Sequence, residues 1–569
     1  MSTAPTTAQQ VSEEPADQAA PLDALLVDAA LGPLRRFAPD ASTLRLAFQL
    51  ARRPRTTGRR LGGLTAELAR IGAGTSTVAP SKRDRRFTDP AWAGNPLLRR
   101  MVQGYLAAGQ TAEQLVGDAG LGWRDEQRAR FLVENLVEAL APSNLPLVNP
   151  ASAKAAIDTA GLNFLRGGRN LLRDLASPPR VPQMVDESAF QVGRNLAVTP
   201  GAVVLRTELL ELIQYRPQTQ RVRKVPLLLV PPTINKYYVL DLAPGRSLVE
   251  HLVQHGLQVF VISWRNPDAR HADWGLDAYV QAVLDALRAV QRVCASERTA
   301  LVGFCSGGII ASITAAYLAG TGQQSRLAAL GLGVTVLDNA RAGVASALVD
   351  RRLAALAKAT SRRRGYLDGR ALAEVFAWLR PGDLIWNYWV NNYLLGNKPP
   401  AFDILSWNAD TTRMPARLHA DFVDLAMENH LVTPGAMTAL GVPVDLSRVD
   451  VDAYIVAGIA DHLTPWQSCY RSTQLLGGRS RFILSTSGHI AALINPPGNP
   501  KASYQTSGHT PADPRQWLEA AETQQGSWWP DLVAWLGERC GPQKPAPKRL
   551  GGRGLQPLVD APGTYVFDR

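Results

Sequence analysis

The chain has 569 residues and a mass of 61.5 kDa, which at roughly 100–200 residues per domain predicts two to four domains or one large domain with insertions. Hydrophobic residues make up 46% of the chain and charged residues 19%, a composition that excludes a mostly disordered protein. The net charge of +12 favours anionic partners such as nucleotide-bearing molecules, nucleic acid or acidic lipid, about as much as it indicates a merely solvated basic surface.

The number of cysteines and the hydropathy of the chain indicate the cellular compartment in which the protein is expected. The four cysteines are Cys294, Cys305, Cys469 and Cys540. None forms a CxxC pair, so we expect no metal site, and so few cysteines fit a reducing cytosol. The first residues lack a basic segment followed by an apolar one, so no secretory signal is expected. The purest apolar runs are far shorter than the ~20 residues of a membrane-spanning helix, so no transmembrane segment is expected.

The first third of the chain is mainly helical in pattern. Residues 1–21 are rich in Thr, Ala, Gln and Pro, and we expect a disordered tail there. From residue 22 to about residue 193, apolar residues recur at helical spacing, for example in LRLAFQLARR and EQRARFLVENLVEALAP. The pattern predicts a mainly helical N-terminal domain over residues 22–193.

From residue 194 to residue 569, short apolar runs alternate with helical segments. GAVVLRTELLELIQYRP predicts two extended segments. Continuous β-rich apolar runs follow at residues 226–232, 258–264, 299–304, 327–338, 452–458 and 480–485. Such runs are typical of strands that are buried on both faces. The alternation predicts an α/β domain with a doubly wound, mainly parallel sheet.

The interval from about residue 339 to residue 448 interrupts this alternation. It is helical in pattern and rich in Trp and Tyr, as in WNYWVNNYLLG. An insertion of this size predicts a helical cap over the C-terminal ends of the strands, where ligands bind in open α/β sheets. Four aromatic residues could line the access route, although aromatics in a helical stretch are more often core: Trp386, Trp389, Tyr393 and Trp407.

The motif GFCSGG stands between the predicted strand 299–304 and a helical run. A G-x-nucleophile-x-G turn between a strand and a helix is a nucleophile elbow. Cys305 occupies the nucleophile position, and the small residues Gly303, Gly307 and Gly308 let strand and helix approach closely. The positive end of the following helix favours a thiolate. The alternative is a buried structural thiol in a glycine-rich turn.

The partners of Cys305 follow from chain order. An α/β-hydrolase fold supplies its nucleophile, acid and histidine in that order. Asp461 comes just after the strand 452–458, and His489 comes just after the strand 480–485, which the pattern predicts to be the last. We therefore expect Cys305, Asp461 and His489 to meet at one edge of the sheet.

Other residues remain open as alternatives. His462 could orient Asp461 or serve as a local hydrogen-bonding residue. Asp338 is a minor competitor as the acid, whereas Asp452 opens a strand and should lie at the wrong edge.

An oxyanion hole needs two backbone N–H groups. One is expected from Ser306, which follows the nucleophile, and the other from Thr233 or Ile234 in the loop after the strand 226–232. Pro231 and Pro232 cannot donate because proline has no N–H.

Seven longer sequence motifs, spread over most of the chain, are informative when they are considered together. They are RDRRFTDPAWAGNPL at 83–97, VPPTINKYYVLDL at 230–242, SWRNPD at 263–268, GFCSGG at 303–308, PGDLIWNYWVNNYLLGNKPPAFDILSWNADTTRMP at 381–415, AGIADHLTPWQSCYRS at 457–472 and SGHIAALINPPGNPKASY at 487–504. Together they resemble the polyhydroxyalkanoate synthase family, most closely its class II type, over nearly the whole chain. The family's catalytic cysteine, aspartate and histidine fall on Cys305, Asp461 and His489.

The resemblance implies a polymerase that joins (R)-3-hydroxyacyl-coenzyme A units into polyester through an acyl-cysteine, with a lean towards medium-length acyl chains. It implies no cofactor, because coenzyme A is a leaving group of the substrate. It also implies a cytoplasmic homodimer at polyester granules and their coat proteins, with no nucleic-acid partner. Two rivals remain: a cysteine-dependent acyl-coenzyme A thioesterase or ester hydrolase of the same fold, and a catalytically inactive granule or nucleic-acid binding protein.

Overall fold

The structure is a computed structural model that describes residues 22–31, 41–82, 84–176, 178–339, 351–461 and 463–569. The expected tail at 1–21 and the alternative partner His462 lie outside these residues. Within the described ranges, an eleven-stranded sheet forms the centre of the molecule. Its strands in chain order are β1 Gly201–Arg206, β2 Leu210–Tyr215, β3 Leu227–Val230, β4 Val259–Trp264, β5 Thr299–Phe304, β6 Leu327–Gly333, β7 Ala453–Gly458, β8 Ser480–Ser485, β9 Ser503–Thr506, β10 Glu522–Gln525 and β11 Val559–Asp560.

The sheet confirms the predicted α/β architecture. The strands lie side by side in the order β10-β9-β8-β7-β6-β5-β3-β4-β2-β1-β11. The six from β8 to β4 are parallel, and antiparallel strands extend both edges. Because parallel strands are covered on both faces, β3 to β7 are fully buried. Helices Leu276–Cys294 and Ser306–Gly320 cover one face, and helices Leu248–Gln254 and Trp529–Arg539 cover the other.

The strand bounds differ from the sequence prediction in two places. β6 ends at Gly333 and not at residue 338, because Val334 adopts a positive φ of 44° that leaves the extended region. The strand 480–485 is not the last: β9 and β10 continue the sheet beyond it. These two strands, SYQT and ETQQ, are polar and partly or fully exposed, so they carry no apolar alternation that could predict them.

The segment predicted to form the cap, from about residue 339 to residue 448, is mostly helical in the residues that the structure describes. They are Arg351–Arg364, Gly369–Leu379, Asp403–Ala409 and Ala416–Met427, together with two π-helical segments, Gly382–Trp386 and Trp389–Leu394. Short strand pairs join Tyr366–Leu367 to Met414–Pro415 and Thr438–Ala439 to Val442–Pro443. π-Helices are rare and concentrate at functional sites.

The helices between residues 41 and 176 form two groups: the first five pack on one another, and the last two pack on each other. They are Ala41–Arg52, Pro54–Ala73, Ala91–Gly94, Pro96–Asp118, Trp123–Ala139, Pro150–Asp158 and Leu162–Ala176. Helix Leu162–Ala176 docks on the π-helical segment Trp389–Leu394. Gly167 permits this contact, since any side chain there would overlap the carbonyl of Tyr393. Asn163 donates to the Leu394 carbonyl at 2.7 Å across the same junction.

Helix Leu22–Leu31 packs differently from the domain to which its position assigns it. It lies among the cap helices, and Leu26 and Val27 are buried in the main core. The ring of His419 in the cap bonds to the Leu26 carbonyl at 3.2 Å. The apolar side chains of this helix are therefore covered by the cap, and the domain bounds predicted from the sequence stay a prediction.

We expect Gly307→Ala to lower the free energy of unfolding by about 1–3 kcal/mol, because the added methyl would overlap the Pro231 carbonyl, which belongs to backbone. Gly62→Ala is the matched control. Gly62 lies in helix Pro54–Ala73 with nothing within 4 Å of the new methyl, so this variant should gain up to about 1 kcal/mol. Denaturant unfolding measures both, and equal effects would contradict the close packing at Gly307.

Candidate active site

Cys305 sits at a strained turn between β5 and helix Ser306–Gly320. Its φ of 50° and ψ of −122° lie in a region that side-chain-bearing residues rarely adopt. The Cys305 N–H donates to the Gly333 carbonyl at 2.9 Å, which fixes the turn to β6. This is the geometry of a nucleophile elbow, in which strain lifts the side chain above the ends of the strands.

The glycines around Cys305 are required by close backbone packing. A side chain at Gly303 would come within 2.6 Å of the Gly307 carbonyl, and one at Gly307 would overlap the carbonyls of Val230 and Pro231. A side chain at Gly308 would collide with that of Thr335. All three elbow glycines predicted from the motif therefore lie where strand, helix and neighbouring loop touch.

The tertiary structure brings His489 and Asp461 together beside Cys305. His489 Nδ1 lies 2.7 Å from Asp461 Oδ2. Asp461 Oδ1 accepts the N–H groups of Leu463 and Thr464 at 2.8 and 2.9 Å, and Oδ2 also accepts the Thr464 hydroxyl at 2.5 Å. Both oxygens of the carboxylate are therefore engaged, and Nε2 is the ring nitrogen of His489 left for Cys305. Cys305 and His489 line the same cavity.

Charge explains the protonation of this pair. Burial by itself lowers the pKa of His489, but the Asp461 carboxylate and the Cys305 sulfur outweigh burial and raise it to about 10. Burial by itself raises the pKa of Asp461, and the hydrogen bonds and charge from His489 and Thr464 hold it below its ordinary value. The site thus favours an imidazolium next to an ionised carboxylate at neutral pH.

The other cysteines have no comparable position. All four are free and buried, but only Cys305 lines the cavity with His489. Burial raises the pKa of Cys294 and of Cys540 to about 12, and burial also raises the pKa of Cys469 well above its ordinary value. Thiols in such surroundings stay protonated and unreactive at neutral pH.

The two alternative acids, Asp338 and Asp452, form ion pairs with arginines away from His489. Asp338 forms an ion pair of 2.7 Å with Arg471 and accepts a hydrogen bond from Asn429. Asp452 precedes β7, as its place at the start of the strand predicts, and pairs with Arg539 at 2.7 Å. Neither contacts His489 in the way that Asp461 does.

The two expected positions in the loop after β3 have different roles. The Thr233 N–H donates to the Ser306 hydroxyl at 3.0 Å, so it is already used. The buried Ser306 hydroxyl is an acceptor here, turned away from the role of nucleophile. Ile234 lines the cavity with Cys305 and Ser306. The first N–H groups of a helix have no partner within the helix, which suits the Ser306 N–H as a donor to a ligand.

The cavity above Cys305 is small and mostly apolar, with a volume of about 40 Å³. Its cap side is formed by Phe376 of helix Gly369–Leu379 and by Phe422, Leu425 and Ala426 from Ala416–Met427. Sequence analysis missed these four residues. Their helical periodicity marks a buried face but not what that face covers.

The aromatic residues expected at the access route have structural contacts instead. Trp389 donates to the Asn144 carbonyl at 3.1 Å, and the Tyr393 hydroxyl lies 2.9 Å from Asp174. Trp386 packs edge-on against Trp389. Buried Trp407 donates to the Lys236 carbonyl at 2.7 Å. The core interpretation therefore describes them better.

Within the ranges that the structure describes, no group of three or more His, Cys, Asp and Glu side chains could hold a metal ion. Among the same residues, no helix is both long enough and apolar enough to cross a bilayer.

The fold and the elbow define an α/β-hydrolase-type enzyme, and a family model for the alpha/beta hydrolase fold matches residues 226–496. A second model, described as poly-beta-hydroxybutyrate polymerase (PhaC) N-terminus, matches residues 83–252. A solved hydrolase from Pseudomonas aeruginosa aligns with 52% of this chain and 92% of its own, at 15% identity and a TM-score of 0.31.

Curated relatives cover almost the entire chain. Poly(3-hydroxyalkanoate) polymerase 2 of Ectopseudomonas oleovorans is 46% identical over 529 residues, which are 93% of this chain and 94% of that protein. The poly(3-hydroxyalkanoate) polymerase subunit PhaC of Cupriavidus necator is 41% identical over 503 residues, or 87% of this chain and 85% of that subunit. The chain therefore belongs to the poly(3-hydroxyalkanoate) polymerase family, whose members are acyltransferases. The resemblance found in the motifs is confirmed.

The His489–Asp461 pair predicts a pH-dependent stability. The pKa of His489 is about 10 in the fold and ~6.5 in an unfolded chain. Its contribution is therefore fully present below pH ~6.5 and is lost as the pH rises towards 10. Asp461→Asn removes the carboxylate charge and most of this contribution. Asp461→Asn should therefore lower the free energy of unfolding at both pH values. We expect the loss to be larger at pH 6 than at pH 10, by at least ~1 kcal/mol.

Urea unfolding at both pH values measures this difference. Asp338→Asn is the control, since Asp338 is a carboxylate near the same strand ends that pairs with Arg471. A difference that is independent of pH for Asp461→Asn would contradict the raised pKa of His489.

Proposed function

We propose that the protein polymerises (R)-3-hydroxyacyl-coenzyme A into polyester, with release of coenzyme A, through an acyl group carried on Cys305. The observation that carries this proposal is the strained Cys305, placed in one cavity with a carboxylate-bound His489, in a chain of the polymerase family. Cys305, His489 and Asp461 are the proposed catalytic set.

The first half-reaction transfers the acyl group to the protein. In the reactive form the proton of Cys305 is already on His489 Nε2, and the Cys305 thiolate attacks the thioester carbonyl. The oxygen that becomes negative is held by the N–H groups of Ser306 and Ile234. The carbon–sulfur bond to coenzyme A breaks, and His489 returns the proton to the departing sulfur. One thioester replaces another, so the free energy changes little.

The second half-reaction forms the ester bond. With Cys305 acylated, its negative charge is gone, and neutral His489 can act as the base for a 3-hydroxyl group. That hydroxyl attacks the carbonyl on Cys305, and the sulfur leaves as a thiolate that His489 stabilises. Neither half-reaction requires a cofactor, since coenzyme A enters with the substrate. The net charge of +12 favours its phosphates.

We propose that Asp461 orients His489 and does not itself take the proton of the hydroxyl. Its two oxygens hold the N–H groups of Leu463 and Thr464, the Thr464 hydroxyl and the His489 ring. Acting as the base would require one of these bonds to break. Asp461 does not line the cavity, whereas His489 does.

The cap supplies the water exclusion that a polymerase needs. A cavity of about 40 Å³ cannot hold a medium-length acyl chain, so helices Gly369–Leu379 and Ala416–Met427 must move when substrate enters. We propose a preference for medium-length chains from the class II resemblance. The apolar faces of Phe376, Phe422 and Leu425 suit an alkyl group.

We further propose that the enzyme works as a cytoplasmic homodimer at polyester granules and their coat proteins. One face of helix Leu162–Ala176 supports the contact with a polyester surface. Four leucines of this helix are each more than half exposed: Leu162, Leu165, Leu172 and Leu175. The exposed Arg166 and Arg169 lie between them in the sequence. Exposed apolar stripes with flanking cations are typical of surfaces that lie on lipid-like phases.

Cys305→Ala should abolish acyl transfer, with a loss of at least about 10³-fold in coenzyme A release, because no other thiol lines the cavity. Cys469→Ala is the matched control and should keep most of the activity. Mass spectrometry after brief reaction with 3-hydroxydecanoyl-coenzyme A locates the acyl group. Acylation of a different cysteine, or full turnover by Cys305→Ala, would contradict the assignment.

The same incubation separates polymerase from thioesterase. The proposal predicts turbidity and an insoluble polyester along with coenzyme A. Release of coenzyme A with only soluble hydroxy acid would reject polymerisation and favour hydrolysis at the same triad.

Phe376→Leu should shift the preference towards longer chains, because the smaller side chain enlarges the cavity above Cys305. We expect the ratio of kcat/KM for 3-hydroxydecanoyl- over 3-hydroxybutyryl-coenzyme A to rise about threefold or more. Phe48→Leu makes the same change at an exposed site outside the cavity and should leave the ratio unaltered. A ratio that does not move in Phe376→Leu would exclude this wall of the cavity from chain-length selection.

A further inference from the structure

Residues 563–569, called the strap here, run beside the strand ends that carry the active site. The buried carboxylate of Glu211 in β2 anchors them, because it accepts the N–H groups of Thr564 and Tyr565 at 2.8 and 3.0 Å and the Thr564 hydroxyl at 2.7 Å. The Arg265 guanidinium stacks on the Tyr565 ring at 4.3 Å and donates to its hydroxyl at 2.8 Å. The strap is thus fixed to the sheet at its first residues.

Beyond this anchor, the strap holds a buried cation. Lys236 is 3% exposed, and its Nζ donates to the carbonyl of Asp568 at 2.6 Å and to that of Tyr565 at 3.5 Å. An ammonium group removed from water needs acceptors of this kind. Burial lowers the pKa of Lys236 to about 8. A lysine placed so unfavourably for its charge is held by contacts from a segment more than 300 residues away in sequence.

Lys236 ends the loop 231–236, which follows β3 and presents Ile234 to the cavity. The elbow holds one part of this loop through the bond from the Thr233 N–H to Ser306. The cap holds the middle, since Thr412 donates its N–H to the Ile234 carbonyl at 3.3 Å and its hydroxyl to the Thr233 carbonyl at 3.1 Å. The cap also holds Lys236 itself, since Trp407 donates to the Lys236 carbonyl at 2.7 Å. The bond from the Lys236 ammonium to the strap is a further attachment of the loop.

The strap also reaches the cap. Arg569 forms an ion pair of 2.8 Å with the buried Asp410, which accepts the Tyr238 hydroxyl at 2.9 Å as well. Arg413 donates to the Arg569 carbonyl at 3.2 Å. One short segment therefore links the sheet, the loop 231–236 and the cap residues Asp410 and Arg413, which lie close in sequence to Thr412.

We propose that Lys236 and the strap are positioning elements of the oxyanion hole: they hold the loop 231–236 so that the Ile234 N–H faces the acyl oxygen when Cys305 is acylated. The proposal rests on the proposed function, because the oxyanion exists only if Cys305 attacks a carbonyl. Lys236 makes no bond to the substrate in this role. Its effect passes through the backbone of one intervening residue, Asn235.

Two reactions of the same thiol separate positioning from general structure. Acylation by 3-hydroxydecanoyl-coenzyme A passes through an oxyanion, whereas alkylation of Cys305 by iodoacetamide does not. Lys236→Met should slow single-turnover acylation by about 10- to 100-fold and lower kcat with little change in KM, while alkylation stays within about twofold. Lys224→Met, an exposed lysine at the opposite end of β3, should change neither reaction.

Unchanged acylation in Lys236→Met, or an equal loss of acylation and alkylation, would overturn the proposal. Arg569→Ala guards against misfolding, since that side chain is 80% exposed. It should slow acylation by a smaller factor, about two- to fivefold, and leave alkylation unaltered. Equal acylation by Arg569→Ala and the unmodified protein would remove the strap from the proposal.

Amide hydrogen exchange tests, without any substrate, whether Lys236 and the strap hold the loop 231–236 in place. Peptides that cover the loop 231–236 should exchange faster in Lys236→Met and in Arg569→Ala than in the unmodified protein. Unaltered protection in both variants would refute the strap even if acylation fell. If the unmodified protein releases no coenzyme A, the proposed function fails. The exchange experiment would still show whether the strap holds the loop 231–236.

Discussion

The backbone contact between Gly307 and the carbonyls of Val230 and Pro231 is the constraint on which the geometry of the candidate active site depends. It brings the start of helix Ser306–Gly320 against the loop after β3 with no side chain between them. Cys305 absorbs the resulting turn in a strained conformation, whose cost of about 1–3 kcal/mol persists only because the neighbouring strands hold both ends. The same approach allows Ser306 to accept the Thr233 N–H, which leaves Ile234 at the cavity.

Electrostatics then set the chemistry that this geometry permits. Burying Asp461 is unfavourable unless its charge is compensated, and two backbone N–H groups, one hydroxyl and the His489 ring compensate it. The compensated carboxylate keeps a proton on His489, and the resulting imidazolium lies beside the sulfur that is proposed to attack as a thiolate. Because Asp461 and His489 are buried and the neighbouring cavity is mostly apolar, little water competes for these bonds.

Segments that are remote in sequence complete the site from three directions. The cap covers Cys305 with Phe376 and Phe422, and the strap reaches the loop after β3 through Lys236. Helix Leu162–Ala176 supports the π-helical part of the cap through Gly167 and Asn163. The cap therefore has direct contacts both with helix Leu162–Ala176 and with the loop 231–236, so the cap movement proposed for substrate entry would act on both.

The sequence alone predicted the α/β fold, most central strands, the three elbow glycines and the residues Cys305, Asp461 and His489, whose catalytic roles remain proposals. It could do so because apolar periodicity, glycine-rich turns and the position of a residue just after a strand are local properties of the chain. Only the tertiary structure decided that Thr233 is used by Ser306 while Ile234 is not, that Phe376 and Phe422 form the cavity wall, and that helix Leu22–Leu31 belongs with the cap. These outcomes depend on which distant segments meet, and a polar strand such as β9 or a buried lysine such as Lys236 gains its partners only when the chain has folded around it.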